Sequence, residues 1–491
     1  ELFEQLQERN VVSWSTLIAG YAETGLGHEA LKCFRQMQNE GVCPNAVTYV
    51  ATLKACAIVG SLDIGKDIDA KVRKQGLLEK DVMLGTALVD MYSKCGELAK
   101  AQQVLEELHI RDVVCWSALI ARYTQQGQGL EALNCFQQMQ SEGLSPTVVT
   151  FIHILTSCGS MGALDKGRKT HKEIVSRGML EKDIVLGNAL VGMYVKCGEL
   201  AIAHKVLEEL PVRNAISWST LISGYADQGQ CHEALNCFEW MQSEGLSPSI
   251  VTFICSLKAC GSAGAIDKGR QIHDEIIRKN FLEKDTMLGT ALIHMYAKCG
   301  MLIKAQQVLE EIAVQDVVSW NALIAGYAQH GQGCEALNCF YRMQNEGLTP
   351  DEVTCLCVLN ACCHSGLLYD AQLLFENMTR KYCIIPNLEH HTCMVIIYGC
   401  AGHFDNAISL IKASASSEYP VIWLALLGSC QKWGNVKLGR LAFDQAVQLD
   451  NTCSAAYVLM ARIFTGAGMQ EDAEKVETMR LKYATWKEGN C

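Results

Sequence analysis

Two kinds of residue in this chain carry chemistry worth weighing. The first are ligand types. A zinc deaminase needs His-x-Glu, for one metal ligand and a proton shuttle, and Cys-x-x-Cys for two more ligands. His171-Lys172-Glu173 and His273-Asp274-Glu275 supply the first half, but no two of the 25 cysteines stand three apart. Cys355, Cys357, Cys362, Cys363 and His364 crowd together. On a helix, however, residues 355 and 357 point to different sides. Neither group predicts a metal site or a catalytic residue, and no phosphate loop, nucleophile elbow or dinucleotide fingerprint occurs. No cofactor is implied. The second kind are small hydrogen-bonding side chains that recur in register: Ser15, Thr86, Ser117, Asn188, Ser219, Thr290 and Asn321. Each has an aliphatic residue three places earlier: Val12, Met83, Val114, Val185, Ile216, Met287 and Val318. Each is followed by a second polar residue: Asn45, Asp112, Thr147, Asn214, Ser249, Asp316 and Asp351. Paired donors and acceptors beside an apolar surface can read the edge of a flat, polar-rimmed ligand.

The elements that must position these residues follow from a repeat. Trp14, Trp116, Trp218 and Trp320 stand 102 residues apart, and Val11–Asn45 returns at each of them. A long fixed period is the mark of a solenoid. In Val11–Asn45, Trp14, Leu17, Ile18 and Tyr21 fall on one helical face, and Ala30, Leu31, Phe34 and Met37 on another. Gly25 and Gly27 are expected to break the two helices apart, and Gly41 and Pro44 to end the second. Each helix is short enough to be marginal alone, so neighbouring hairpins must cover each other's apolar faces. The expected fold is an all-α, right-handed superhelical solenoid of stacked helical hairpins.

One period holds three unit types: 36 residues (Ala46–Asp81), 31 (Val82–Asp112) and 35 (Val113–Thr147). They recur through Asp351, and a variant long unit (Glu352–Asn387) and a variant short unit (Leu388–Tyr419) follow, which makes twelve units over residues 11–419. Residues 1–10 align with the end of a short unit, residues 420–486 form two hairpins of different spacing, and 487–491 begin a further segment. In this frame the aliphatic residue is the second of its unit, the small polar residue the fifth, and its distant partner the last. The long units keep the aliphatic second residue (Val47, Val149, Val251, Val353) but carry Val50, Ile152, Ile254 and Leu356 at the fifth, which cannot read an edge.

Composition sets outer bounds. A net charge of −11 argues against generic polyanion binding, which draws on Lys and Arg, though not against a locally basic groove. Apolar residues at 49% with only 7 prolines argue against disorder. No apolar run is long enough to span a membrane. Cysteines recur in register (Cys33, Cys135, Cys237, Cys339; Cys56, Cys158, Cys260, Cys362; Cys95, Cys197, Cys299), as buried thiols at helix contacts would, and not as a disulfide framework. Their number suits a reducing compartment.

The motifs SWxxLIxGY…GxxxEALxCFxxMQxEGxxP, LxAC…GxLDxGRxxH-like and MYxKCGxLxxAxxVLEEL resemble the ordinary (P), long (L) and short (S) repeats of plant pentatricopeptide repeat proteins of the PLS class, over essentially the whole chain. The hairpins after Pro420 resemble that class's E motifs, and Lys487–Cys491 resembles the segment before its deaminase-like domain. The resemblance implies binding of single-stranded organellar RNA, about one base per P or S repeat. Fifth and last residues would read the base edge, and second residues would pack on base faces. It implies a mitochondrial or chloroplast location and a part in C-to-U editing, with a deaminase domain or an editing co-factor protein engaged through the E motifs. Guanine offers two donors on its pairing edge and suits a carboxylate, so Thr86/Asp112 and Thr290/Asp316 are expected to prefer G. Ser15/Asn45 should prefer A, Asn321/Asp351 U, and Asn188/Asn214 C over U. Ser117/Thr147 and Ser219/Ser249 carry no base expectation.

The plain structural reading is helix capping, which Asp and Asn before a helix commonly perform. It is favoured for Asp81, Asp183 and Asp285, which end L units. Lys80, Lys182, Lys284, Lys94, Lys196 and Lys298 could neutralise phosphates or complement helix dipoles equally well. The rival functions are an RNA stability or splicing factor without editing, and a peptide-binding scaffold of the tetratricopeptide kind.

Overall fold

A computed structural model describes residues 3, 9–78, 81–108, 111–181, 183–282 and 285–488. Among these every regular element is helical, with 28 α-helices and one 3-10 turn at Ala415–Glu418. The expected all-α solenoid of stacked hairpins is what the chain forms. It divides into two compact units, Glu1–Ser249 and Ile250–Cys491. The first runs from α1 (Val11–Glu23) to α14 (Cys231–Ser243), the second from α15 (Ile250–Ala263) to α28 (Gln470–Glu488). Within each, consecutive helices pair as antiparallel hairpins, and the first helices of successive hairpins pack side by side into one layer.

The packing follows the repeat. Trp14, Ile18, Phe34 and Met37 are buried in the first hairpin, and Trp116, Ile120, Phe136 and Met139 in its copy. Burial of one such side chain stabilises by roughly 1.5–3 kcal/mol, which short helices lack in isolation. Gly25 ends α1 in the left-handed region, at φ 80°. Gly27 does not break a helix as expected. It opens α2 (Gly27–Asn39), and a Cβ there would lie 2.6 Å from Val59 Cγ2 of the next hairpin. Close approach, not chain reversal, is what this position requires.

In the second and third copies an ion-paired glutamate holds the tryptophan; in the first, Arg9 pairs with Glu40 at 3.1 Å but Trp14 Nε1 is buried without a partner. Trp116 Nε1 donates to Glu142 at 2.9 Å, and Arg111 closes on the same carboxylate. Trp218 and Arg213 hold Glu244 in the same way, at 2.8 and 2.7 Å. In the fourth copy Gln315 replaces the arginine, and Trp320 Nε1 and Gln315 Oε1 are both buried without a partner.

The last hairpins, α25 (Pro420–Trp433) with α26 (Val436–Leu449) and α27 (Ser454–Gly466) with α28, share a cluster built on Trp423, Leu426, Tyr457, Met460 and Phe464. Of the expected segment 487–491, Lys487 and Glu488 continue α28, and the remainder lies outside the described residues. So do most of residues 1–10, and Lys80, Lys182 and Lys284 with them.

Candidate functional site

In each compact unit the exposed side of the first-helix layer carries a row of aliphatic residues. Second-position residues are open to solvent in every unit up to Val353: Val12 is 65% exposed, Met83 70%, Ile216 64% and Met287 69%. Val114, Val185 and Val318, and Val47, Val149, Val251 and Val353 of the long units, are exposed likewise. Water should disfavour this arrangement, and a core role would have buried it. A repeated exposed apolar position marks a surface that something covers.

Fifth-position residues lie beside this row, one layer down. Ser15 and Asn321 are buried; Thr86, Ser117, Asn188, Ser219 and Thr290 are half-buried. Four of the hydroxyls turn back on their own helices: Ser15 Oγ donates to Val11 O at 2.7 Å, Thr86 Oγ1 to Val82 O at 2.9 Å, Ser219 Oγ to Ala215 O at 2.5 Å and Thr290 Oγ1 to Thr286 O at 3.1 Å. A hydroxyl satisfied this way is stable without ligand and still offers a lone pair.

Last-position residues cap the following helix at the reading junctions as well as after the long units. Asn45 Oδ1 accepts from Thr48 N at 2.9 Å, Asp112 Oδ1 from Cys115 N at 2.8 Å and Asp316 Oδ1 from Ser319 N at 2.8 Å. Thr147, Asn214 and Asp351 cap likewise. Asp81, Asp183 and Asp285 cap as well, as the capping reading has it for the long units. Capping occupies one oxygen, so an aspartate keeps a second oxygen and an asparagine keeps its amide donor. Asn45 and Asp351 are exposed and Asp112, Asn214 and Asp316 half-exposed, so the spare group reaches solvent.

In the second compact unit a cavity of about 470 Å³ crosses the first helices of successive repeats. Met287, Val318 and Val353 line it from the second positions, and Thr290 and Asn321 from the fifth. Lys258, His294 and Lys298 lie along the same cavity. Burial, then Lys298 and Lys258, push the His294 pKa below its ordinary value, so near neutral pH it is a hydrogen-bonding group and not a cation. Of the other recurrent lysines, Lys94 pairs with Asp90 at 2.8 Å.

From the wall of this cavity Asn321 Nδ2 donates to Asp351 Oδ1 at 3.1 Å, and Asn321 Oδ1 is buried without a partner. Burial pushes the Asp351 carboxyl up, but hydrogen bonds from Thr354 N–H, the Thr354 hydroxyl and Asn321 outweigh it and hold its pKa below the ordinary value. It is therefore an acceptor only, beside an unused amide acceptor.

The ligand-type residues have structural work. His171 Nδ1 and His273 Nδ1 lie 2.9 Å from the hydroxyls of Tyr194 and Tyr296, and at the same repeat position Tyr92 donates to Asp69 at 2.8 Å. Cys355 and Cys362 are buried in the stack, whereas Cys357 lines the groove. Burial pushes the Cys56, Cys135 and Cys237 thiols up to about 12. Among the described residues, no three His, Cys, Asp or Glu are grouped to hold a metal ion.

Comparison with known proteins agrees with the fold. Models described as PPR repeat family and PPR repeat match residues 9–58, 111–179, 213–262 and 315–364, and 86–113, 290–316 and 353–383. A chloroplastic pentatricopeptide repeat-containing protein of Arabidopsis thaliana is 33% identical over all of this chain and 60% of its own length. Another from that plant is 34% identical over 95% of this chain and 83% of its own. A mitochondrial relative, also from Arabidopsis, is 30% identical over 98% of this chain and 79% of its own. The chain thus spans about 60% of the first of these relatives. Among solved structures, the pentatricopeptide repeat protein PPR10 from maize matches with a TM-score of 0.56 at 18% identity, over 99% of this chain and 81% of that one. PPR10 in complex with an 18-nt psaJ RNA element matches with a TM-score of 0.54 at 16% identity, over 97% of this chain and 85% of that one.

Proposed function

The chain belongs to the pentatricopeptide repeat family, and from that membership and the groove we propose that it binds single-stranded RNA in a sequence-specific way. The observation that carries this reading is the row of exposed aliphatic second residues, flanked at P and S units by two polar groups and at L units by an apolar fifth residue. Bases stack on apolar surface whatever their identity, and an adjacent donor–acceptor pair then selects among them. The twelve units of residues 11–419 would take about one base per P or S unit. A carboxylate acceptor at Asp112 and Asp316 suits the N1–H and N2–H donors of guanine. The spare donor of Asn45 suits adenine N1. The unpartnered Asn321 Oδ1 suits the N3–H of uracil.

In the cell this chain would be the targeting part of an organellar C-to-U editing factor, in keeping with chloroplastic and mitochondrial relatives. The hairpins of Pro420–Glu488, read as E motifs, would engage an editing co-factor protein or a deaminase domain. Deamination needs a zinc ligand set with Cys-x-x-Cys, which this sequence lacks, so the chain's own part is recognition. The test is binding of the purified chain to single-stranded RNA, the same sequence as duplex, and unstructured acidic peptide. Preference for single-stranded RNA is expected. Equal binding to duplex, or to peptide alone, would overturn the reading.

A further inference from the structure

The two reading groups of a register do not act alone. Thr48, third residue of the following unit and fully buried, has its hydroxyl 2.7 Å from Ser15 Oγ and 2.9 Å from Asn45 Oδ1, while Asn45 N–H donates to it at 3.1 Å. The next P unit repeats the arrangement: Thr150 Oγ1 lies 2.7 Å from Ser117 Oγ and 2.9 Å from Thr147 Oγ1. After an S unit, Cys115 Sγ approaches Thr86 Oγ1 at 3.1 Å while its N–H holds Asp112. At Asn321/Asp351, Thr354 donates both N–H and hydroxyl to Asp351 Oδ1, at 2.7 and 2.8 Å.

The residue type at this place follows the kind of unit before it. It is Thr, Ser or Cys where a P unit or one of the three S units ending at Asp112, Asn214 and Asp316 precedes, Ile422 after the variant short unit, and Leu84, Leu186 or Leu288 where one of the first three L units precedes. A cap alone does not need the hydroxyl, since the three L-unit aspartates cap their helices above a leucine. The polar third residue therefore accompanies reading.

We propose that this third residue is a further determinant of base choice, a positioning residue that couples the fifth and last residues of the preceding unit. The proposal rests on the base-reading function above. Its physical content is a proton count. Thr48 has one hydroxyl proton and two acceptors in reach, Ser15 Oγ and Asn45 Oδ1. If Ser15 donates to Thr48, Thr48 donates to Asn45, and Ser15 is left as an acceptor towards the base. If Ser15 donates to Val11 O, Thr48 donates to Ser15, and Asn45 Oδ1 is released from it. What either group offers a base thus depends on the other, through Thr48. At Asn188/Asn214 and Thr290/Asp316, Ser217 and Ser319 lie closest to the cap's backbone carbonyl, at 2.8 Å each, with Asn214 Oδ1 farther from Ser217 at 3.2 Å, so coupling is weaker there.

The test is base preference at the Ser15/Asn45 register, with RNAs varied at that nucleotide only, for wild type, Thr48→Val and Thr48→Ser. Thr48→Val should reduce discrimination there about fivefold, the scale of one hydrogen bond, and leave preferences at other registers intact. Thr48→Ser should restore it. Non-additivity between Ser15→Ala and Asn45→Ala should vanish in the Thr48→Val background. Unchanged preference in Thr48→Val, or an equal loss at every register, would overturn the proposal while leaving RNA reading in place. Absence of single-stranded RNA binding by wild type would instead overturn the reading itself. Should Thr48→Val unfold, Cys115→Val at the Thr86/Asp112 register carries the same comparison.

Discussion

Asn321 donates to Asp351 across 30 residues of chain, from the fifth position of one repeat to its last, at 3.1 Å. The bond uses the amide donor of a residue that lines the groove and leaves Asn321 Oδ1 buried with nothing to accept from. Under the proposed reading a uracil N3–H would complete it. Replacing Asp351 with Asn adds a donor where only acceptors stood. Preference at this register should then move from U toward C by several-fold, measured as affinity for RNAs differing at that nucleotide.

The same carboxylate links stability to pH. Its folded pKa lies below its unfolded one, so its contribution is present in full above the ordinary carboxylate range and is lost as pH falls through the folded value. Asp351→Asn should therefore be less stable than wild type at pH 7, and the difference in melting temperature should close as pH falls below about 4. A difference independent of pH would show that the charge of Asp351 contributes nothing.

Second-position residues separate binding from folding. Val318 is 59% exposed, so Val318→Asp should change stability by no more than about 0.5 kcal/mol. An acid in the first helical turn is even favourable to the helix. The same change places negative charge where a base would stack. Affinity for single-stranded RNA should fall about tenfold with the circular dichroism spectrum unchanged. Undiminished affinity would remove the row from the site.

One defect in the stack can be repaired. Gln315 stands where Arg111 and Arg213 clamp a glutamate that holds a tryptophan. Gln315→Arg should draw Glu346 toward Trp320 Nε1, now buried without an acceptor, and raise stability by about 1 kcal/mol. Thermal unfolding of the two proteins decides it.

Much of this was legible from spacing. The tryptophan period and the i, i+3, i+4 apolar faces give the hairpins, because stacking imposes the same burial on each copy. The alternation of Ser15 or Thr86 with Val50 marks which units offer a polar fifth residue. Other features need three dimensions. Gly27 reads as a helix breaker in one dimension and is a contact point against Val59. His171-Lys172-Glu173 reads as half of a zinc site, and His171 meets a tyrosine hydroxyl 23 residues on. Asn45-Ala46-Val47-Thr48 shows a polar cap followed three places later by a hydroxyl, which in one dimension reads as capping alone. The contact of Thr48 with Ser15 lies 33 residues away, and no local pattern reveals that.

The central claim, that paired side chains on successive repeats choose bases, is tested most directly by selection from a pool of randomised single-stranded RNA. Thr290/Asp316 and Asn321/Asp351 belong to adjacent units, so wild type should enrich a G next to a U, and Asp316→Asn should turn that G to A while leaving the U. An enriched sequence that is the same for wild type and Asp316→Asn, or no enriched sequence at all, would contradict the account.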